Sequence, residues 1–597
     1  MGMRRTGQGG GGRPRGRLTL AIVTAGICVA ASACSAGGST AAGNASSARR
    51  QTLVLGVYRP PTGDIGNVYI TASDAFVSDG VEELVMEPLF YDNYQTGKLD
   101  PWLATGYAYS DGYRKLTINL RHDVTWNDGV KFSSADVVYT MDQIISTQPT
   151  PWRAAGIQAN VASIKALGPY AVQLTLKQPN PRFIDTDMSA YVYTSNFTPL
   201  PEHIFKGQNF KTFTDFDLKK GWPLGTGPYR VTAVSASSVT LTRNDNWWAV
   251  KAGLATLPGP KQVVYTNPGS EDSAVSGLGS NQLDYVGETN ITPAGFVTAR
   301  QQNPKLQDWS GDLGYTDPCP YALTVNTSQA PWNSAQMRWA LSYAINKDQL
   351  AKVFNEPGPS TPAATPFPTY PALDSLVRAS SSLLRQYPVD LYSLSREAQI
   401  LRSRGYKLTG GKWVGSNGQP LSINISIFSP AILGDQWATA SQLIHQELAA
   451  AGITATMQPG GWDALAAAQG TTGRPTFGAQ TWFECGSVTD PWATFNIFSN
   501  SPGAANPPHW TNARYDSLVA QMGQLPPGSP AIPGLFRQAL AIYLQQLPVI
   551  PLAQRPDPVV TNTTYWTGWP TASSPYIQPA PWTSFFHQVI WHLRPAR

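Results

Sequence analysis

The chain has 597 residues, 14% of them charged and 11% aromatic, with a formal net charge of +5. Arg4, Arg5, Arg13, Arg15 and Arg17 account formally for that charge, so the rest is near neutral and lacks the clustered basic faces that hold nucleic acid. The length exceeds what one hydrophobic core usually serves, so two or more lobes are expected, and the 53 Gly and 50 Pro are spread as turns rather than gathered in a disordered tract.

In chain order, the arginines lead into a charge-free apolar run from Leu18 to Ala33. At about 16 residues this is short of the roughly 20 that a spanning helix needs. A basic start, a short apolar core and small residues at its end describe a secretory signal over 1–33. Ala31-Ser32-Ala33-Cys34 resembles a bacterial lipobox, although leucine is most usual where Ala31 stands. The resemblance implies that the Cys34 thiol receives diacylglycerol and that the protein is held to the outer face of the cell membrane by this anchor alone. Residues 34–50 read as a flexible tether with a reach of about 20 Å and are excluded from the fold. Once Cys28 leaves with the signal and Cys34 is lipidated, Cys319 and Cys485 remain, an even pair that reads as a disulfide outside the cytosol. No C-x-x-C or histidine cluster points to a metal, and no cofactor is expected.

Leu53–Tyr58 reads as an opening strand. Leu120–Phe132 reads as strand and Asn-Asp-Gly turn, followed by a helix capped by Ser133 or Ser134. Gly225-Thr226-Gly227-Pro228-Tyr229 is turn chemistry: two glycines free to take positive φ, then a proline that starts an extended segment. Val231–Leu241 then reads as a hairpin of β-branched residues. Met337, Ala340, Leu341, Ala344 and Ile345 form one buried stripe, which predicts a helix from Gln336 to Val353 capped by Asn333 or Ser334. A further helix is expected over Gln436–Ala451, stopped by Gly452 and followed by a strand at Ile453–Met457.

The Gly225–Tyr229 turn, followed by Leu241-Thr-Arg-Asn-Asp-Asn-Trp-Trp248, resembles the P-x-G-T-G-P-Y … L-x-R-N-x-x-Y-W block of the family 5 extracellular solute-binding proteins, the oligopeptide- and dipeptide-binding components of ABC importers. Val85–Asp92, Pro101–Ala104, Leu120–Phe132, Ser134–Met141, Met337–Lys347 and Leu547–Leu552 also match, so the resemblance runs over about residues 51 to 570. It implies an α/β, two-lobed periplasmic-binding-protein fold (class II, cluster C type) with an extra domain. Lobe I would comprise 51–92, 200–318 and 552–597, the extra domain 93–199, and the opposing lobe 319–551. It also implies a monomer that passes a peptide or peptide-like solute to an ABC permease and, through it, to ATPase subunits. Some oligopeptide-binding members carry a disulfide between the strands that hold Cys319 and Cys485 here.

In peptide-binding members a W-C-A-D-x-x-E/D-P segment supplies an aspartate that pairs with the ligand's α-amino group. The matching segment is Cys485-Gly-Ser-Val-Thr-Asp-Pro491, where Ser487 occupies the aspartate position. Glu484 could supply the charge instead. Trp482, Phe483, Trp492, Trp462, Trp152 and Phe76 are candidates for lining the cleft, and peptide would be held mainly through its backbone. Catalysis is not expected: His122, His203, His445, His509, His587 and His592 are scattered, and there is no H-E-x-x-H, G-x-S-x-G or phosphate-binding loop. The alternatives are a ligand receptor on the same fold, or an importer component for haem, a metal complex or a sugar.

Overall fold

The computed structural model describes residues 48–57, 63–70, 80–93, 98–190, 197–287, 291–310, 314–354, 360–470, 475–483, 485–501, 504–579 and 586–597. Residues 1–47, which hold the expected signal, Cys34 and nearly all of the expected tether, lie outside the described residues. The folded unit begins at Arg49, not Gln51. The Arg49 guanidinium donates to both Asp284 carboxylate oxygens (2.9 and 2.8 Å) and lies over the Tyr565 ring, which makes this residue part of the fold.

A seven-stranded mixed sheet runs in the order Leu306–Gln307, Val559–Asn562, Tyr285–Gly287, Thr52–Gly56, Gln262–Thr266, Ser238–Arg243, Tyr229–Val234. The expected opening strand is its centre, parallel to both neighbours, with Leu53 and Leu55 fully buried. The expected hairpin forms its edge, Tyr229–Val234 antiparallel to Ser238–Arg243. A four-stranded antiparallel sheet (Ala104–Ser110, Lys115–Leu120, Ala171–Leu176, Val161–Gly168) carries the helix Ser134–Ser146, and its inner residues join the same core. Ser133 caps that helix: its Oγ accepts from Ala135 N at 3.2 Å, and Asp136 Oδ2 accepts from Ser133 N at 2.9 Å.

A six-stranded sheet, in the order Thr361–Pro362, Val549–Gln554, Tyr321–Val325, Ala479–Phe483, Ser422–Phe428, Thr454–Gly460, organises a second core. The chain passes between the two large sheets twice, where Tyr315–Thr316 pairs with Pro556–Asp557. Arg555 bridges the fully buried carboxylates of Asp317 and Asp557 at this crossing, and Tyr315 donates to Asp557 at 2.8 Å. The strand Val549–Gln554 runs through position 552, so the second sheet reaches the crossing itself rather than ending at residue 551. Similarly, the strand Phe90–Asn93 runs across the 92/93 boundary.

Two sequence expectations are corrected. Gly225 and Gly227 are not among the glycines with positive φ. They are required by close approach, because a Cβ would lie 1.7 Å from Val85 O at Gly225 and 2.3 Å from Leu84 O at Gly227. The Trp-Trp pair of the same block serves the same segment: Trp247 and Trp248, with Trp102, donate their indole N–H groups to the buried Glu87 at 3.1, 2.7 and 2.8 Å. Burial pushes the Glu87 carboxyl up to about 7, and the indole donors oppose that shift.

The single helix expected over Gln336–Val353 is two, Ala335–Ala344 and Lys347–Phe354. Ile345 is extended, Asn346 N donates to Glu447 Oε2 at 2.8 Å, and Lys347 Nζ turns back onto the Ser342 and Ile345 carbonyls. Burial lowers the Lys347 ammonium to about 7. The later helix starts earlier than expected, at Pro430, and runs to Ala450; Gly452 follows with φ 82°, then the strand Thr454–Gly460.

Candidate functional site at the lobe junction

The strand Ala479–Phe483 lies between Tyr321–Val325, to which it is antiparallel, and Ser422–Phe428, to which it is parallel. Beyond its end, Cys485 is disulfide-bonded to Cys319, as expected. This bond ties the exit of one strand to the entry of its neighbour, close to the crossing between the sheets. At Gly486 a Cβ would stand 2.0 Å from Thr494 Oγ1, so the backbone there lies directly on the helix Pro491–Ile497.

Ser487 is 3% exposed, and its Oγ accepts from Thr489 N (3.0 Å) and Asp490 N (2.9 Å). The hydroxyl thus shapes the turn before the helix. Val488, next in the chain, is buried among residues of the first core rather than the second. Asp490 caps Pro491–Ile497 by accepting from Trp492 N at 3.1 Å, and it also receives Arg182 from the extra domain. The segment after Cys485 therefore leaves the second lobe and meets the first lobe and the extra domain. Burial, with the charge of Asp490 adding to it, raises the nearby Asp185 carboxyl to about 7.

The other candidates are distributed as follows. Trp482 is half-buried and stacked on Phe428 (5.2 Å between centroids), packed against the second core. Trp492 packs on Gly523, with the Arg182 guanidinium 5.1 Å above its ring. Trp152 is half-buried against the first core beside Arg153, and its N donates to Tyr69 O at 3.1 Å. Phe483 ends its strand and Trp462 starts the helix Trp462–Ala468, but their side chains lie outside the described residues, as do Phe76 and Glu484 altogether. Cys485, Ser487 and Trp492 are thus brought together on one segment, while Trp152 is placed elsewhere. Sequence reasoning missed Arg182, Val488 and Asp490; Asp490 stood in the quoted motif, and nothing local marked Arg182.

Two mixed sheets with separate cores, joined by a paired crossing and meeting again across a segment from one strand end, define a two-lobed solute-binding fold. The model of the bacterial extracellular solute-binding proteins, family 5, matches residues 98–506, and the chain belongs to this family. The nickel-binding periplasmic protein of Escherichia coli (strain K12) is 25% identical over 376 residues, 62% of this chain and 65% of that protein. The glutathione-binding protein of the same strain is 22% identical over 503 residues, 82% of this chain and 87% of that one. The mannohexaose-bound periplasmic oligopeptide-binding protein of Thermotoga maritima superposes with a TM-score of 0.75 at 20% identity, covering 92% of this chain and 99% of that chain.

Proposed function

We propose that this member of an ABC-importer solute-binding family is a lipoprotein that captures peptides or peptide-like solutes between its lobes and delivers them to a permease. The observation that carries the reading is the segment Ser487–Asp490, which extends a central strand of one lobe and packs its Val488 into the core of the other. A segment held this way closes over whatever lies between the lobes, and its strand backbone suits an extended chain. Delivery uses no chemistry in this chain. The test is mass spectrometry of the solute that co-purifies, followed by calorimetry with a peptide panel. Retention of a sugar or a metal complex, with no heat from any peptide, would overturn the peptide reading and leave the capture reading standing.

The ligand's amino end carries a prediction. Ser487 offers a neutral hydroxyl already accepting two backbone bonds, and Asp490 is held by Arg182. A buried ammonium needs a counter-charge, and a charge-assisted bond contributes about 1.5–3 kcal/mol. One binding peptide, free and N-acetylated, is therefore expected to bind equally, which favours blocked, cyclic or modified peptides. A penalty of tenfold or more on acetylation, abolished in Glu484→Gln, would assign the amine to Glu484 instead.

Anchoring is tested separately. Cys34→Ala is expected to move the protein from the membrane fraction to the aqueous phase of a detergent partition, because an acyl chain is the proposed hold on the bilayer. Unchanged membrane retention of that variant would refute the lipid anchor.

A further inference from the structure

Arg182 stands at the start of the short helix Phe183–Asp187 in the extra domain, and its own base is firmly held. Its N–H donates to Asn180 Oδ1 at 3.0 Å, Asn180 Nδ2 donates to Asn160 Oδ1 at 3.0 Å, and Ile184 N donates to Tyr109 Oη at 3.0 Å. Phe183 and Ile184, the next two residues, are buried in the first core. The side chain leaves this support and is only 1% exposed, yet every acceptor it meets belongs to the opposite lobe. Nε donates to Asp490 Oδ2 at 2.5 Å and Nη2 to Asp490 Oδ1 at 3.3 Å. Nη1 donates to the carbonyls of Met522 (2.9 Å) and Gly523 (3.0 Å), and also to that of Leu525.

Two general effects make this contact more than a surface ion pair. Met522 and Gly523 end the helix Ala513–Gly523; the Met522 carbonyl also accepts from Leu525 N in the closing turn (3.2 Å), and both carbonyls lie at the negative end of the helix dipole. Asp490 in turn sits at the positive end of Pro491–Ile497. The guanidinium is thus matched on one edge by a carboxylate in fork geometry and on the other by carbonyls at a helix C-terminus, away from water. Asp185, three residues on in the same segment, is a second carboxylate in electrostatic contact with Arg182.

We infer that Arg182 is a positioning residue for solute capture: it latches the extra domain to the second lobe and sets the balance between open and closed forms. The inference rests on the reading that the lobes open and close around a solute. Opening must withdraw a buried guanidinium from all its partners at once and hydrate both it and Asp490. Closure rejoins them in one register only, because a planar fork accepts a single geometry. A latch made by the protein itself biases closure before any solute contact, so a solute needs less differential affinity to complete it.

The test uses solute-free protein with its disulfide intact. Dyes are placed at Leu167→Cys in the extra domain and Leu408→Cys in the second lobe, both exposed positions (50% and 54%), and read by single-molecule energy transfer. Arg182→Lys keeps the charge and loses the fork. Asp490→Asn loses the charge and keeps a side chain that caps the following helix well. Each is expected to raise the open-to-closed ratio by about tenfold, and the pair together little more than either alone. Amides of Val488–Trp492 should exchange faster in both, while the denaturation midpoint of Asp490→Asn stays at the parental value. Wild-type distributions in both variants would overturn the latch while leaving capture intact. A single unchanging distance in every form, parent included, would also overturn the latch, while the capture reading is decided separately by the co-purifying solute.

Discussion

Gly225→Ala is expected to cost at least about 3 kcal/mol of stability, above the ordinary overpacking range, or to prevent folding. The added methyl would stand 1.7 Å from Val85 O, a backbone atom that cannot rotate away. The two segments would have to part, breaking the bond from Gly227 N to Val85 O (2.8 Å), and any shift of Gly225 would strain the bond it accepts from Asn127 N (2.9 Å). Separation would also pull Trp247 and Trp248 from Glu87, leaving a buried acid without its donors. Gly106→Ala is the control, since nothing lies within 4 Å of a Cβ there, and it should change stability by no more than about 0.5 kcal/mol. Urea denaturation of both variants decides the matter. Equal midpoints would show that the Gly225 turn yields to an added methyl without loss.

The second large effect concerns the cross-link. Cys319 and Cys485 are 166 residues apart in sequence, and closing a loop of that length restricts the unfolded chain by up to about 5 kcal/mol in the entropy model. Cys319→Ser/Cys485→Ser is expected to lose about 2–5 kcal/mol. Reductant should lower the parent to the level of the double variant and leave the variant unmoved. Thiol labelling of the unfolded, unreduced mature domain should find neither sulfur. Labelling of both, or a reductant effect equal in parent and variant, would dismiss the bond as a stabilising feature.

Much of the architecture was legible because its signals are local. The Ser133 cap with Asp136 three residues on, the hairpin around Val234 and Ser238, and the stop at Gly452 each depend on residues within a few positions of one another. The cysteine pair was legible by counting, once Cys28 and Cys34 were set aside. The family block is legible as a pattern, but its physical basis is not: turn chemistry explains glycines through φ, whereas Gly225 and Gly227 answer to the carbonyls of Val85 and Leu84, about 140 positions earlier in the chain.

Short-range pattern and composition were enough for the opening strand, the hairpin after Tyr229, the Ser133-capped helix, the two-lobed family and the sulfur pairing. Where elements break and which groups meet depends on tertiary packing. The stripe from Met337 to Ile345 is continuous in sequence, yet the helix ends at Ala344 because Glu447, on a distant helix, takes the Asn346 N–H. Arg182 and Asp490 lie 308 residues apart, and no periodicity or propensity links them. Hydrophobic pattern reports which face of an element is buried, not which partner buries it. The pairing of lone polar groups across a lobe junction is therefore decided by how the packed cores bring their elements together.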